Sequence, residues 1–173
     1  MGQELGFRLE ALQPLLHEGE IISSTNIRAL LREGRVTEAS KLLGRYPTLK
    51  GKVTGGARRG QKLGFPTANL AVAGKMMIPA DGIYAARVRW GAANHQGVVN
   101  IGVRPTFENQ GERIVEAHIL DFKGDLYGQI LEIEFIKRLR PERRFESAEE
   151  LIVQMTEDVA QTRRLFNGQQ QAL

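Results

Sequence analysis

The feature that most constrains the fold is a change in the pattern of apolar and polar residues after Pro47. From there, short segments of alternating apolar and polar residues are separated by glycine and proline. In the clearest one, QILEIEFIK (129–137), apolar residues alternate with Glu132 and Glu134. A period of two residues is that of a half-buried strand. This part of the chain is therefore predicted to be mainly β.

Several short strands divided by turn signals indicate an antiparallel barrel or sandwich. The chain ends differently, because SAEELIVQMTEDVAQTRRLF predicts a helix opened by a capping box of Ser147 and Glu150. An apolar stripe on that helix (Leu151, Met155, Val159 and Phe166) is expected to pack on the barrel. The predicted strands are Thr48–Thr54, Thr67–Val72, Ile83–Trp90, Gln96–Ile101, Ile114–Asp121 and Gln129–Lys137.

Residues 1–45 have another character. FRLEALQPL (7–15) alternates like a short strand, and a helix is predicted after it, capped by Ser24 or Thr25 and ended by Gly34. A second short helix has Thr37 near its cap and Gly44 past its end. A strand followed by helices is part of an α/β unit, so domains over 1–45 and 46–173 are expected.

Composition excludes several classes of protein. The 173 residues, 42% hydrophobic and 25% charged, suit a globular protein with a real core. The chain has no cysteine, which excludes disulfides, thiol nucleophiles and cysteine-bound zinc, and its three histidines are scattered. No secretory signal or membrane-length apolar run occurs, so cytoplasmic residence without membrane contact is expected.

The net charge of +4 and the pI of about 9.6 favour an anionic partner such as a nucleotide or nucleic acid. The glycine-rich run around TGGARRGQKLG (54–64) could gather backbone N–H groups around a phosphate, with Arg58, Arg59 and Lys62 as cations. Neither of the two familiar glycine-rich nucleotide fingerprints is present. The alternative is a hairpin with solvated basic residues.

The run PTAN (66–69) follows this loop. In an extended strand Thr67 and Asn69 point to one side and present two neutral oxygens. Such ligands suit Mg²⁺ only when phosphate oxygens complete its coordination, which predicts a metal that arrives with a nucleotide. The alternative is a strand edge whose polar residues pair with nearby backbone.

In IVEAHILDF (114–122), Glu116 shares a face with Ile114 and His118 and is a candidate general base. The alternative is an ordinary solvent-facing glutamate. NIGVRPTF (100–107) and LRPERRF (139–145) combine a cation, a proline and an aromatic, as a loop bordering a ligand would.

Taken together and in order, these segments resemble the riboflavin kinase family, and in particular the C-terminal module of bacterial bifunctional FAD synthetases. The segments that carry the resemblance are GKVTGGARRGQKLGFPTANL, DGIYAARV, NIGVRPTF, VEAHILDFKGDLYG, LRPERRF and EELIVQMTEDVA. The resemblance implies a six-stranded antiparallel Greek-key barrel with a C-terminal helix packed on it. It also implies ATP-dependent phosphorylation of the riboflavin 5′-hydroxyl, giving FMN and ADP.

The same resemblance implies a role for each matching residue. Glu116 would be the catalytic base, and Thr67 and Asn69 would hold Mg²⁺. Residues implied to bind ATP and its phosphates are Thr54, Gly60, Lys62, Gly64, Pro66, Thr67 and Asn69. Residues implied to border the flavin are Asn100, Arg104, Phe107 and Arg140. Either Arg59 or Lys62 would be the cation that reaches the phosphates.

The segment ISSTNIRALLREG (22–34) resembles the end of the adenylyltransferase half of those enzymes, whose nucleotide-binding H-x-G-H motif is absent from this sequence. The chain is therefore expected to be a kinase module with a remnant of the adenylyltransferase domain, its partner in the full-length protein, and to make no FAD.

Two other functions are alternatives to riboflavin phosphorylation. A nucleic-acid-binding barrel would need stacked aromatics, which are only 6% of the chain, and a flavin-binding module without catalysis would not need Thr67, Asn69 and Glu116 together.

Overall fold

Six antiparallel strands close into a barrel that is covered on one side by the last helix. This computed structural model describes residues 6, 8, 10, 13–55, 63–74, 76–104 and 112–170. The elements, in chain order, are β1 (Leu16–His17), β2 (Glu20–Ile21), α1 (Ser24–Arg32), α2 (Val36–Leu43), β3 (Thr48–Thr54), β4 (Ala68–Val72), β5 (Gly82–Trp90), β6 (Ala93–Arg104), β7 (Glu112–Ile119), β8 (Ile130–Arg140) and α3 (Ala148–Gln170).

The barrel has the order β3-β4-β7-β6-β5-β8, and every neighbouring pair is antiparallel. Strands β5, β6 and β7 follow one another, and β8 returns to lie beside β5, which is a Greek key. The predicted barrel and all six predicted strands are confirmed. Strand β3 has the predicted ends, and β6 is longer than predicted at both ends.

Alternation along the strands builds the core. The residues that fill the barrel share one face of each strand, and the charged residues of β8 lie on the opposite face, as the sequence predicts. Tyr84 and Phe135 meet edge to face inside the barrel, with ring centroids 5.3 Å apart. The most completely buried side chains include Leu49, Tyr84, Val88, Val99, Ile101, Val115, Leu131, Ile133 and Phe135.

The two N-terminal helices pack on the barrel and share its core. Leu31, Val36 and Ala39 belong to the same buried cluster as the barrel residues. The backbone N–H of Ala80 donates to the Leu31 carbonyl at 2.8 Å. The hydroxyl of Thr37 donates to the carbonyl of Ile136 at 3.3 Å, so it attaches α2 to β8.

Two details of this segment differ from the sequence predictions, and the second helix agrees with them. The cap of α1 is Ser23, whose hydroxyl accepts from the Asn26 N–H at 3.1 Å, because Ser23 is the last residue with extended backbone. Helix α2 begins at Val36 after its cap residue Arg35, so Thr37 lies near the cap and Gly44 follows the last helical residue, as predicted. Among the described residues of 7–15 none lies in a strand; the short hairpin β1–β2 follows instead.

Helix α3 begins as predicted. The Ser147 hydroxyl accepts from the Glu150 N–H at 3.2 Å, and the Glu150 carboxylate accepts from the Glu146 N–H at 3.3 Å. Phe166 of the predicted stripe is buried. Within the described part of the chain, no helix is both long and apolar enough to cross a membrane.

Candidate active site

One row of residues around the barrel carries much of the predicted site. Asn69 of β4 pairs with Glu116 of β7, and Glu116 pairs on its other side with Asn100 of β6. The row continues to Thr54 on β3 and, through Ile83 on β5, to Arg140 on β8. Cross-strand partners are the nearest neighbours in a sheet. Residues far apart in sequence are thus brought to one level of the barrel.

Glu116 projects from the outer surface of the barrel. Its neighbours in sequence, Val115 and Ala117, are 2% and 1% exposed and fill the core. Successive side chains of a strand point to opposite faces, so Glu116 lies on the face that α3 covers, where it is half-buried.

A cavity of about 290 Å³ separates α3 from this face of the barrel. We call it the helix-side cavity. Glu116, Asn100 and Arg140 all line it, as does Thr67. The remaining walls are Leu63, Phe65, Ile83, Val98, His118, Glu142, Arg143, Phe145, Leu151, Met155, Asp158 and Val159. Its size is near the lower end for small-molecule sites, and its mixture of apolar walls with a few polar groups is typical of them.

A second, wider cavity of about 810 Å³ adjoins the first. We call it the loop-side cavity, because residues 122–127 form one of its walls. Thr54, Pro66 and Asn69 line it, and Thr67 lines both cavities. A ligand in each cavity would therefore meet the other at Thr67.

A residue of β7, His118, holds the turn before β4 in place. The ring nitrogen Nδ1 of His118 lies 2.8 Å from the carbonyl oxygen of Pro66, which can only accept, so His118 is the donor. Phe65 packs edge to face on the His118 ring at 5.4 Å. Gly64 has φ +86, a conformation that favours glycine. These contacts fix the position of Thr67, which lies between this turn and β4.

Asn100 presents an unused acceptor. Its Oδ1 atom is buried and has no hydrogen-bond partner among the residues that the structure describes. A buried carbonyl oxygen without a donor is costly. Because Asn100 lines the helix-side cavity, a ligand with an N–H or O–H group could supply that donor.

Arg140 is held by a carboxylate of α3. Its Nε donates to Asp158 Oδ1 at 3.0 Å and its Nη2 to Asp158 Oδ2 at 2.8 Å, a two-pronged ion pair. Its guanidinium lies 5.7 Å from the centre of the Phe145 ring. Farther along the helix, Arg163 donates to Asp121 at 2.8 Å and lowers the pKa of that carboxyl.

The loop after β8 closes over β6. Glu142 lies against Gly102 so closely that a Cβ atom at that glycine would collide with its carboxylate. The guanidinium of Arg143 lies over the Phe145 ring, 4.6 Å from the ring centre. The segment 139–145 thus borders the helix-side cavity, where the sequence predicted a ligand border.

Some predicted residues cannot be compared. Gly60, Lys62 and Phe107 lie outside the described residues, and the side chain of Arg104 is not described. Gly64 belongs to the turn before β4 and does not line either cavity. His118, Lys123 and Asp158 also line the cavities, although no site role was predicted for them.

The signals for these missed residues differ. His118 stands two residues after Glu116, and a period of two places it on the same face. Lys123 belongs to the segment FKGDLYG, which has no pattern that marks a ligand contact. Nothing in the sequence indicated a site role for Asp158, because a carboxylate in an amphipathic helix ordinarily faces solvent.

The fold and the two adjoining cavities define a class of protein: a Greek-key barrel with one cavity between its wall and a C-terminal helix and a second cavity beside the loop 122–127. The family model "Flavokinase: Riboflavin kinase" matches residues 43–166. The chain belongs to this riboflavin kinase family.

Relatives agree with this assignment. The bifunctional riboflavin kinase/FMN adenylyltransferase of Listeria monocytogenes is 42% identical over 145 residues, covering 84% of this chain and 46% of the relative. The protein of the same name from Escherichia coli K12 is 36% identical, covering 95% of this chain and 52% of the relative. The chain thus spans about half the length of these relatives.

A solved structure has a similar fold. It is a Streptococcus pneumoniae chain described as a macrolide-efflux protein, 35% identical with a TM-score of 0.82. The likeness covers 87% of this chain and 49% of that one.

Proposed function

We propose that this chain transfers the γ-phosphoryl group of ATP to the ribityl 5′-hydroxyl of riboflavin, giving FMN and ADP. The observation that carries the proposal is the pairing of Asn69 with Glu116 across two strands, beside a threonine that lines both cavities. Family membership supports the same reaction. Neither the fold nor the comparisons favour the nucleic-acid-binding alternative.

Each cavity has a proposed ligand. Riboflavin lies in the helix-side cavity, where the free Oδ1 of Asn100 can accept a hydrogen bond from the N–H of the flavin ring. ATP lies in the loop-side cavity, with Thr54 and Pro66 near its phosphates and Lys123 as a nearby cation. The predicted role of Gly64 in binding ATP has no such support, because Gly64 does not line this cavity. Roles for Gly60, Lys62, Arg104 and Phe107 remain predictions.

Thr67 and Asn69 suit a hard cation. Their side chains are a hydroxyl and an amide, both neutral oxygen donors, and both line the loop-side cavity. Mg²⁺ prefers such oxygens together with those of phosphates. When bound with ATP, the ion would neutralise charge on the phosphates that flank the transferred group.

Glu116 is the proposed general base. It accepts the proton of the riboflavin 5′-hydroxyl while that oxygen forms a bond to the γ-phosphorus and the bond from the γ-phosphorus to the ADP oxygen breaks. Thr67 adjoins both cavities, so the hydroxyl and the terminal phosphate would meet beside it. The protein mainly positions the two substrates in this reaction.

The longer relatives suggest the setting of the reaction. In a protein of their length, the partner of this barrel would be an FMN adenylyltransferase domain, and we expect the chain alone to make FMN without FAD. The absence of cysteine fits a reducing compartment, and the cytoplasm is the proposed location.

The direct test is to incubate the protein with riboflavin, ATP and Mg²⁺ and to resolve the flavins by chromatography. We expect one FMN for each ADP formed, and no FMN when Mg²⁺ is chelated. A folded protein that binds riboflavin but forms no FMN would contradict the proposal.

The substitution Glu116→Gln tests the base. We expect FMN formation to fall by about 10²–10⁴-fold, because the amide cannot accept the proton. Riboflavin affinity, measured by quenching of flavin fluorescence, should stay near that of the unmodified protein. Glu38→Gln, on the exposed surface of α2, is the control and should have full activity. A fully active Glu116→Gln protein would reassign the base.

A further inference from the structure

Asp158 is unusual because its carboxylate is buried in the middle of α3. The residue is 2% exposed, and only Asp158 and Thr162 are buried polar residues in the described part of the chain. Its Oδ1 also accepts from Gln154 Nε2 at 3.1 Å. Burying a carboxylate costs free energy unless it is paired and hydrogen-bonded, and Arg140 supplies the pairing.

The ion pair joins two walls of the helix-side cavity. Arg140 comes from the end of β8 and Asp158 from α3, and both line that cavity. Two parallel bonds set the plane of the guanidinium as well as its place. Nη1 donates to the Pro141 carbonyl at 3.2 Å. Among the residues that the structure describes, these contacts leave one hydrogen on Nη1 and one on Nη2 for a further acceptor.

Other contacts also attach the helix to the barrel. Phe166 is buried, and Arg163 donates a hydrogen bond to Asp121. A buried ion pair adds little net stability compared with apolar residues of the same size. What it does provide is a fixed orientation for the guanidinium at the cavity wall.

We infer that Asp158 is a positioning residue for riboflavin: it fixes the Arg140 guanidinium so that its remaining hydrogens can bind the flavin in the helix-side cavity. This inference rests on the proposed function. Asp158 acts through Arg140 and takes no part in the transfer of the phosphoryl group.

Asp158→Asn is the main test, because the amide has nearly the same shape but cannot form the charged two-pronged bond. We expect the Kd and KM for riboflavin to rise about tenfold or more, while kcat and the KM for ATP stay near their original values. Riboflavin binding is followed by flavin fluorescence without ATP. Glu157→Gln is the matched control: this exposed carboxylate of the same helix pairs with Arg164 and should leave all four constants unchanged.

A second variant separates positioning from stability. Arg140→Lys keeps the positive charge but cannot form the bidentate hydrogen bonds of a guanidinium, so it should raise the riboflavin Kd to a similar extent. Adding Asp158→Asn to Arg140→Lys should change the riboflavin Kd little further. If Asp158→Asn lowers only the thermal midpoint, with an unchanged riboflavin Kd, the inference is wrong. Additive effects of the two substitutions on the Kd would also overturn it. An unmodified protein that binds riboflavin but makes no FMN would instead refute the proposed function.

Discussion

At the scale of single residues, the site depends on which oxygens face which cavity. Thr67 lines both cavities, Asn69 lines the loop-side cavity and Glu116 the helix-side cavity. The chemical types were recognisable from the sequence, because PTAN places two neutral oxygens on alternate residues. The proximity of Asn69 to Glu116 was not recognisable from the sequence, because 47 positions separate the two residues and only strand pairing makes them neighbours.

Asn69→Ala tests the proposed metal site. Removing one neutral oxygen should raise the Mg²⁺ concentration for half-maximal FMN formation by at least about tenfold. Initial rates over a range of Mg²⁺ at saturating riboflavin and ATP measure this change, and the riboflavin Kd should not move. Asn94→Ala, on the exposed end of β6, is the control. An unchanged Mg²⁺ dependence would remove Asn69 from the metal site.

At the scale of elements, α3 is both a packing partner and a cavity wall. Its start was predictable because a capping box is local in sequence, and the Ser147 and Glu150 bonds confirm it. The use of its apolar stripe was only partly predictable. Leu151, Met155 and Val159 line the helix-side cavity rather than filling a sealed core, because the barrel face opposite them carries polar side chains.

The cap of α3 can be tested by Ser147→Ala. The loss of the acceptor for the Glu150 N–H should lower the free energy of unfolding by about 1 kcal/mol. Urea unfolding followed by circular dichroism measures it. Ser147→Asp keeps an acceptor at the cap and should retain most of the stability. Equal stability of the alanine variant and the original protein would show that the cap contributes nothing.

At the scale of the whole molecule, the N-terminal helices and the barrel share one buried cluster. Leu31 and Val36 are 7% and 1% exposed and belong to that cluster. Their sequence resembles part of a different domain, and the boundary near residue 45 remains a prediction. The packing nevertheless implies that the helices and the barrel unfold together.

Leu31→Ala tests this coupling. The cavity left in the shared cluster should reduce the free energy of unfolding by about 2–5 kcal/mol, in a single transition seen by both tryptophan fluorescence and circular dichroism. Trp90 packs against the cluster and reports on the barrel. Leu16→Ala, at a position 62% exposed, should change stability by less than about 0.5 kcal/mol. Two separate transitions would mean that the helices and the barrel fold independently.

The sequence by itself determined the positions of the six barrel strands, the final helix and its cap, and the residue types of the site, because these follow from local periodicity and side-chain chemistry. It left open which residues meet. The closed barrel decided that Asn69, Glu116, Asn100 and Arg140 share one level, since register is fixed by pairing between distant segments. The tertiary structure alone also buried Asp158 beside Arg140 and joined α1 and α2 to the core, because helix packing brings together side chains whose spacing in sequence carries no sign of contact.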